Sequence, residues 1–249
     1  MRQLSAWLPP STQLHGSPQG LAIHNRYAVM LRHGGQCLIL DLARRRALSV
    51  FQLDSNTTHC NNASFSALRP YGSPLPLLYI SSCFGDKACL VTRITPSGSS
   101  IVQRIYYHTD QFPVAQDWCV DADSNHLYAY GGRRGGTLYL KQFRLPSLNR
   151  REVHLTDSDV LRTIPINGVG VAQGSKIHRG YAYLPDGDTP GHYYLHIIHL
   201  ATGREVHTID LNPIGLEPEG IDIRGRWIYI SFHTPQPADN RIYRFRNPL

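Results

Sequence analysis

The sequence has no apolar stretch long enough to cross a bilayer. Its longest apolar runs, such as PLPLLYI and CLILDL, fall far short of the roughly 20 residues that a spanning helix needs. The opening MRQLSAWLPP has no apolar segment of signal-peptide length, so a soluble chain is expected, and a mature form if the protein is exported. Helical periodicity is missing throughout. There is no CxxC pair for a structural zinc, no HxxxH pair on a helix and no G-x-S-x-G turn for a serine nucleophile. GGRRGG joins two strands and does not open a helix, so no phosphate cradle is present. No cofactor follows from any motif.

Charge is scarce as well. Asp, Glu, Lys and Arg make up 17% of the chain against 41% hydrophobic residues, which excludes disorder. The net charge of +7 could draw a polyanion, but the basic residues are scattered through turns, the densest clusters being Arg44–Arg46 and Arg133 with Arg134. They read as solvated turns, and no nucleic-acid partner is expected. Cysteines number five. Cys83 and Cys89 flank a turn and could pair in an oxidising compartment, whereas Cys37, Cys60 and Cys119 read as small buried apolar residues. NTT at Asn56 and NAS at Asn62 match the glycosylation sequon.

What the chain does have is glycine, proline and tyrosine, at 21, 17 and 14 residues, the composition of many strands and many turns. Five segments share one plan: a polar start, an alternating strand, a turn, a strand with aromatics, a Gly-rich turn and a third strand. With Gln19, Asn61, Gln116, Asn167 and Glu219 taken as equivalent, the starts recur every ~42 to 55 residues, the period of a propeller blade. ALSVFQL, SIVQRIYY, REVHLT and REVHTIDL follow the first four units as fourth strands, and REVHL with REVHT is the most direct internal echo. The fifth unit has no fourth strand, and part of RQLSAWLPPSTQL is free to supply it. The expectation is an all-β, five-bladed β-propeller of four-stranded antiparallel blades, one domain over residues 1–249, whose last blade is closed by the N-terminal strand.

In a propeller the first strand of each blade lines the central channel, so the five equivalent residues should converge on one mouth. All are polar. They are either the lining of a wet channel or a ligand or ion site on its axis. His59, Asp117 and Glu217 flank the ring, and loops of the same face would add Arg32, Arg134 and His233. Such a mixture suits a polar small molecule or a glycan better than an apolar ligand. Ca²⁺ or another divalent ion could be held by Asn61, Asn167 and Glu219. His154 and His207 are expected on equivalent outer strands. A glycosidase needs two facing carboxylates, and the first three ring positions carry amides.

PQGLAI, INGVGVAQGSKIHRGYAYLPD and EPEGIDIRGRWIYIS resemble blade motifs of the broad propeller group that includes NHL-repeat proteins, the gluconolactonase/regucalcin lactonases and the TolB-like bacterial propellers. The likeness to the lactonases implies a divalent ion on the axis, with Asn167 and Glu219 as counterparts of its ligands. Gln19 stands where that family begins its first blade with Glu. The TolB-like resemblance implies export and no particular activity. Three function classes follow: a non-catalytic binding propeller engaging a polar small molecule, glycan or partner segment at the channel mouth, a metal-dependent hydrolase of lactonase type with Asp117 or Glu217 as general base, and a protein-interaction scaffold. A monomer is expected.

Overall fold

The computed structural model describes residues 2–4, 14–54, 59–85, 87–110, 112, 115–132, 137–187, 189–234 and 241–249, with residues 2–4 and Gln116 described as backbone. Blade 1 is β2 (Pro18–His24), β3 (Tyr27–Arg32), β4 (Gln36–Asp41) and β5 (Arg46–Gln52), paired in that order. Its middle strands, YAVMLR and QCLILD, are almost wholly buried, while the outer strand is half exposed. That gradient is what stacking demands, because a blade flanked on both faces must be apolar on both faces.

Blade 2 starts with β6 (Ala63–Phe65), β7 (Leu78–Ser81), β8 (Cys89–Thr95) and β9 (Gly98–Tyr107). Blade 4 is β15 (Lys176–His178), β16 (Tyr181–Asp186), β17 (Tyr194–His199) and β18 (Arg204–Asp210). In blade 5, β19 (Pro218–Arg224), β20 (Trp227–Phe232) and β21 (Arg241–Arg246) are completed by β1 (Arg2–Leu4), antiparallel to β21 with Leu4 opposite Ile242. The chain's two ends thus share one sheet, as the missing fourth strand required.

Blade 3 departs from the expected strand assignment. Its first three strands are β10 (Ala115–Asp121), β11 (His126–Gly132) and β12 (Leu138–Arg144), but its outer strand is β14 (Val160–Ile166). The REVHL segment, β13 (Glu152–Leu155), instead runs parallel to β9 as a fifth strand of blade 2. His154 stacks there on Tyr106 with ring centroids 4.8 Å apart, so it is not the counterpart of His207 on β18. The Gln103 side chain fixes the crossing by donating to Ser147 O and Arg150 O at 2.7 and 2.9 Å. The Tyr107 hydroxyl donates to Asp157 at 2.5 Å where the chain turns back through the short 3-10 turn Asp157–Asp159. Blade 3 thereby clasps blade 2.

The core is five layers, each between neighbouring blades. Leu31 and Ile39 pack with Leu78, Ile80 and Leu90 between blades 1 and 2, and the cycle ends with Leu21, Met30 and Leu38 of blade 1 on Tyr229 and Ile242 of blade 5. Each such side chain contributes about 1.5–3 kcal/mol on burial. Inner-strand polar contacts stitch the same seams: Ser64 Oγ accepts from Val120 N at 2.9 Å, and Lys176 Nζ meets Asp222 Oδ1 at 2.7 Å.

All five cysteines are free. Cys89 pairs across the strand with Ser81 and is buried in the layer between blades 2 and 3, while Cys83 lies beyond the end of β7, so the pairing register keeps the two thiols apart. Asn62 of the NAS sequon is completely buried, which leaves no room for a glycan, and Asn56 lies outside the described residues. Among the described residues no helix is long and apolar enough to cross a membrane.

Candidate site at the channel mouth

Strand register identifies the equivalent positions. Ala22 pairs with Val29, Lys176 with Tyr183 and Asp222 with Tyr229, so Gln19–Gly20, Gln173–Gly174 and Glu219–Gly220 occupy the same place in blades 1, 4 and 5. The inner strands nearly touch there. A Cβ on Gly220 would lie 2.3 Å from Gln19 O and Leu21 N, and one on Gly20 would lie 2.7 Å from the Asn62 carbonyl carbon. Only glycine permits this approach. It brings the polar residue before each glycine to the mouth of a constricted channel.

Blade 2 supplies Asn61 and Asn62, and blade 3 supplies Asp117. Gln19, Asn61, Asn62, Asp117, Gln173 and Glu219 are all buried, none more than 8% exposed. The Asn61 amide donates to Asp117 Oδ1 at 2.6 Å and to Ala172 O at 3.3 Å. Asn62 reaches to Trp118 O at 3.0 Å and Ser175 O at 2.9 Å, tying three blades together. Gln173 donates to Glu217 Oε1 at 2.7 Å, and Glu217 Oε2 lies 3.3 Å from His233 Nδ1. Gln19 Oε1, Asn62 Oδ1, Asp117 Oδ2 and Glu219 Oε2 are buried with no hydrogen-bond partner among the described residues. All four are oxygens of amides or carboxyl groups.

Burial pushes the Asp117 carboxyl up to about 7, against the hydrogen bonds it accepts from Asn61 and the Gly174 amide. Burial also raises Glu219 well above the usual carboxylate range, helped by the neighbouring Glu217 and Asp117 carboxylates and opposed by a hydrogen bond from Gln19. The Cys83 thiol is pushed up chiefly by burial and then by Asp117, Cys60 and Glu219, which sets this half-buried thiol within electrostatic reach of both carboxyl groups.

An aromatic rim stands beside them. His59 Nδ1 and His33 Nδ1 are 2.8 Å apart, one donating to the other, and the His59 ring stacks on Phe84 at 4.4 Å. Phe84 is exposed. Burial, then the adjacent His33, lowers the pKa of His59 against a hydrogen bond involving Asn61. In blade 5, ligand atoms of Glu217, Glu219 and His233 all lie within 4.8 Å of one another.

Of the residues singled out in the sequence, Gln19, Asn61, Asp117, Glu217 and Glu219 meet at this mouth with His59 and His233 on its rim. Asn167 does not. It stands exposed where the chain leaves β14, six residues before Gln173, which holds the blade 4 position; it is therefore not assembled with Asn61 and Glu219 as a metal set. Gln116 is the extra residue of a β-bulge between Ala115 and Asp117, and the bulge makes Asp117 the residue that reaches Asn61. Arg32 is wholly buried and donates to His15 O at 2.9 Å and to Gly16 O, so it pins the segment before β2. Arg134 lies outside the described residues. Gln173, Asn62, Cys83 and Phe84 were missed; the Gln-Gly pair at 173–174, echoing 19–20, was the available signal.

No protein-family model matches the sequence, and no curated protein matches it. Among solved structures, the fold is similar to that of a glutaminyl cyclase from Myxococcus xanthus, with a TM-score of 0.59 at 14% identity over 92% of this chain and 89% of that one. A nidogen/laminin complex aligns with a TM-score of 0.46 at 14% identity over 79% of this chain and 64% of that one. The first likeness places the chain in the broad propeller group by fold.

Proposed function

We propose that the protein is a binding propeller that takes a polar small molecule carrying an ammonium or similarly donor-rich group at its channel mouth. The observation that carries this reading is the set of buried oxygens on Gln19, Asn62, Asp117 and Glu219 that have no partner among the described residues. A buried acceptor without a partner costs free energy, and a ligand that donates to several at once relieves it. Burial opposes ionisation of the Asp117 and Glu219 carboxyls, and a cation bound beside them favours their charged forms and so gains charge complementarity, while exposed Phe84 stacked on His59 offers a flat apolar face for the rest of the ligand, a sugar ring included. A screen of ammonium-bearing small molecules against their neutral isosteres, read by thermal shift in a chelator, tests it. Stabilisation by the ammonium compounds alone is expected, and equal effects from the neutral isosteres would overturn the reading.

A hydrolase of lactonase type is the second reading, favoured by one observation. Asp117, with its carboxyl near 7, is matched to general-base work at neutral pH. Lactone hydrolysis by the parent that is lost in Asp117→Asn would support it; no turnover, or turnover unchanged by that replacement, would remove it.

A further inference from the structure

We propose that Glu217, Glu219 and His233 form a site for a first-row divalent transition-metal ion of the zinc type, at the channel mouth. The proposal rests on the reading of that mouth as a binding site, and it differs from an axial ion shared between blades because all three ligands come from blade 5.

The sheet itself assembles the ligands. His233 N donates to Glu217 O at 2.9 Å, one rung beyond the Pro218–Phe232 pair, so the two residues are cross-strand neighbours at the end of β19 and β20. The pairing then slips between Pro218 and Ile221, which leaves one extra residue on β19. Such a bulge re-aims a side chain, and here Glu219 lies within the ligand-atom cluster. Glu217 Oε2 and His233 Nδ1 are 3.3 Å apart. Two ligands of a tetrahedral ion with bonds of ~2.0–2.1 Å stand at ~3.3 Å from each other.

Two further observations point the same way. Gln173 occupies Glu217 Oε1, which holds the carboxylate so that Oε2 faces His233, as outer hydrogen bonds do around metal ligands. Independently, Glu219 Oε2 has no partner among the described residues although Glu219 is 2% exposed. The ligand types select the ion. One imidazole with two carboxylates suits zinc and its neighbours, whereas Ca²⁺ takes six to eight oxygens and gains nothing from the ring nitrogen. Two carboxylates would balance the double charge. The three protein ligands leave coordination positions open, and His233, with 41% of its side chain exposed, stands on the solvent side.

The full chain, stripped with a chelator, would be titrated with Zn²⁺ and Ca²⁺ by calorimetry and with Co²⁺ by visible absorption. The expected result is one equivalent of Zn²⁺, Ca²⁺ binding at least a hundredfold weaker, and a loss of at least tenfold in Zn²⁺ affinity for both His233→Gln and Glu219→Gln. The Co²⁺ absorption should vanish in His233→Gln. Should Glu219→Gln not fold, the partly exposed His233 carries the test alone, its fold checked by melting in chelator. No Zn²⁺ uptake, uptake indifferent to His233→Gln, uptake lost instead in His33→Gln, or Ca²⁺ bound as tightly would overturn the site. Ammonium ligands bound by a protein that takes no Zn²⁺ would overturn the metal site alone. Zn²⁺ uptake with no organic ligand bound would overturn the preceding reading alone.

Discussion

Asn61 of blade 2 and Asp117 of blade 3 meet across the channel mouth at 2.6 Å, amide nitrogen to Oδ1, and Asp117 Oδ2 has no partner among the described residues. This pair separates what the mouth does for the fold from what it does for a ligand. Replacing Asn61 by Ala strips a buried carboxyl of a donor and should lower stability by about 1.5–3 kcal/mol. Replacing Asp117 by Asn keeps the shape and removes a group whose ionisation is costly when buried, so at pH 8 it should melt at or above the parent while binding ligand more weakly. Thermal melts of the two variants check this; an Asp117→Asn protein that melts well below the parent contradicts it.

Closure of the ring gives a second outcome. Three ladder positions, Arg2 to Leu4 on Arg244 to Ile242, join β1 to β21. Removing residues 1–4 uncovers the edge of blade 5, at a cost of about 1–3 kcal/mol in lost strand pairing. For a chain of this length that corresponds to a melting temperature lower by ~2–4 °C for each kcal/mol. A truncated protein that melts with the parent would show that the contact does not hold the ring.

The third outcome concerns pH. His196 lies between Asp186, at 3.3 Å, and Glu205, at 2.5 Å. Burial alone would lower its pKa, but the two carboxylates outweigh burial and raise it. For Asp186 burial opposes ionisation, and His196 with the Gly170 and Val171 amides outweighs it and lowers the pKa. A raised histidine stabilises fully below its ordinary value of about 6.5, and that share is lost as pH rises through the folded value; a lowered carboxylate stabilises above about 3.9 and is lost on acidification. The cluster therefore contributes most between about pH 4 and 6.5. His196→Gln should narrow its melting difference from the parent as pH goes from 5 to 8, and a difference that is constant over that range would contradict the coupling.

The blade period and the closure were legible in the sequence because alternation and turn residues are local signals. Gln19, Asn61 and Glu219 were found because each precedes an alternating inner strand. Where structure and pattern differ, the cause is physical. Asn167-Gly168 imitates the Gln-Gly start, but only the pairing of Lys176 with Tyr183 reveals that Gln173 holds the position. A one-residue bulge leaves no mark on the pattern, so the sequence points to Gln116 where the sheet presents Asp117. The likeness of REVHL to REVHT specifies two strands and says nothing of the edge each joins; β9 and the Gln103 side chain decide that for β13. His233 entered only as a rim residue, since its pairing with Glu217 is a product of the sheet.

The central claim is that the buried polar mouth binds a ligand through its charge. Glu219 is its most direct probe, because Glu219→Gln keeps the size of a residue that is 2% exposed and replaces a carboxyl that a cation can ionise by an amide that cannot ionise. Calorimetric titration of the parent and Glu219→Gln with the tightest ammonium-bearing compound from the screen should give affinities that differ by more than tenfold, about 1.4 kcal/mol, with melting curves that agree in its absence. Equal affinities for the two proteins would make the ring a solvated channel lining and contradict the account.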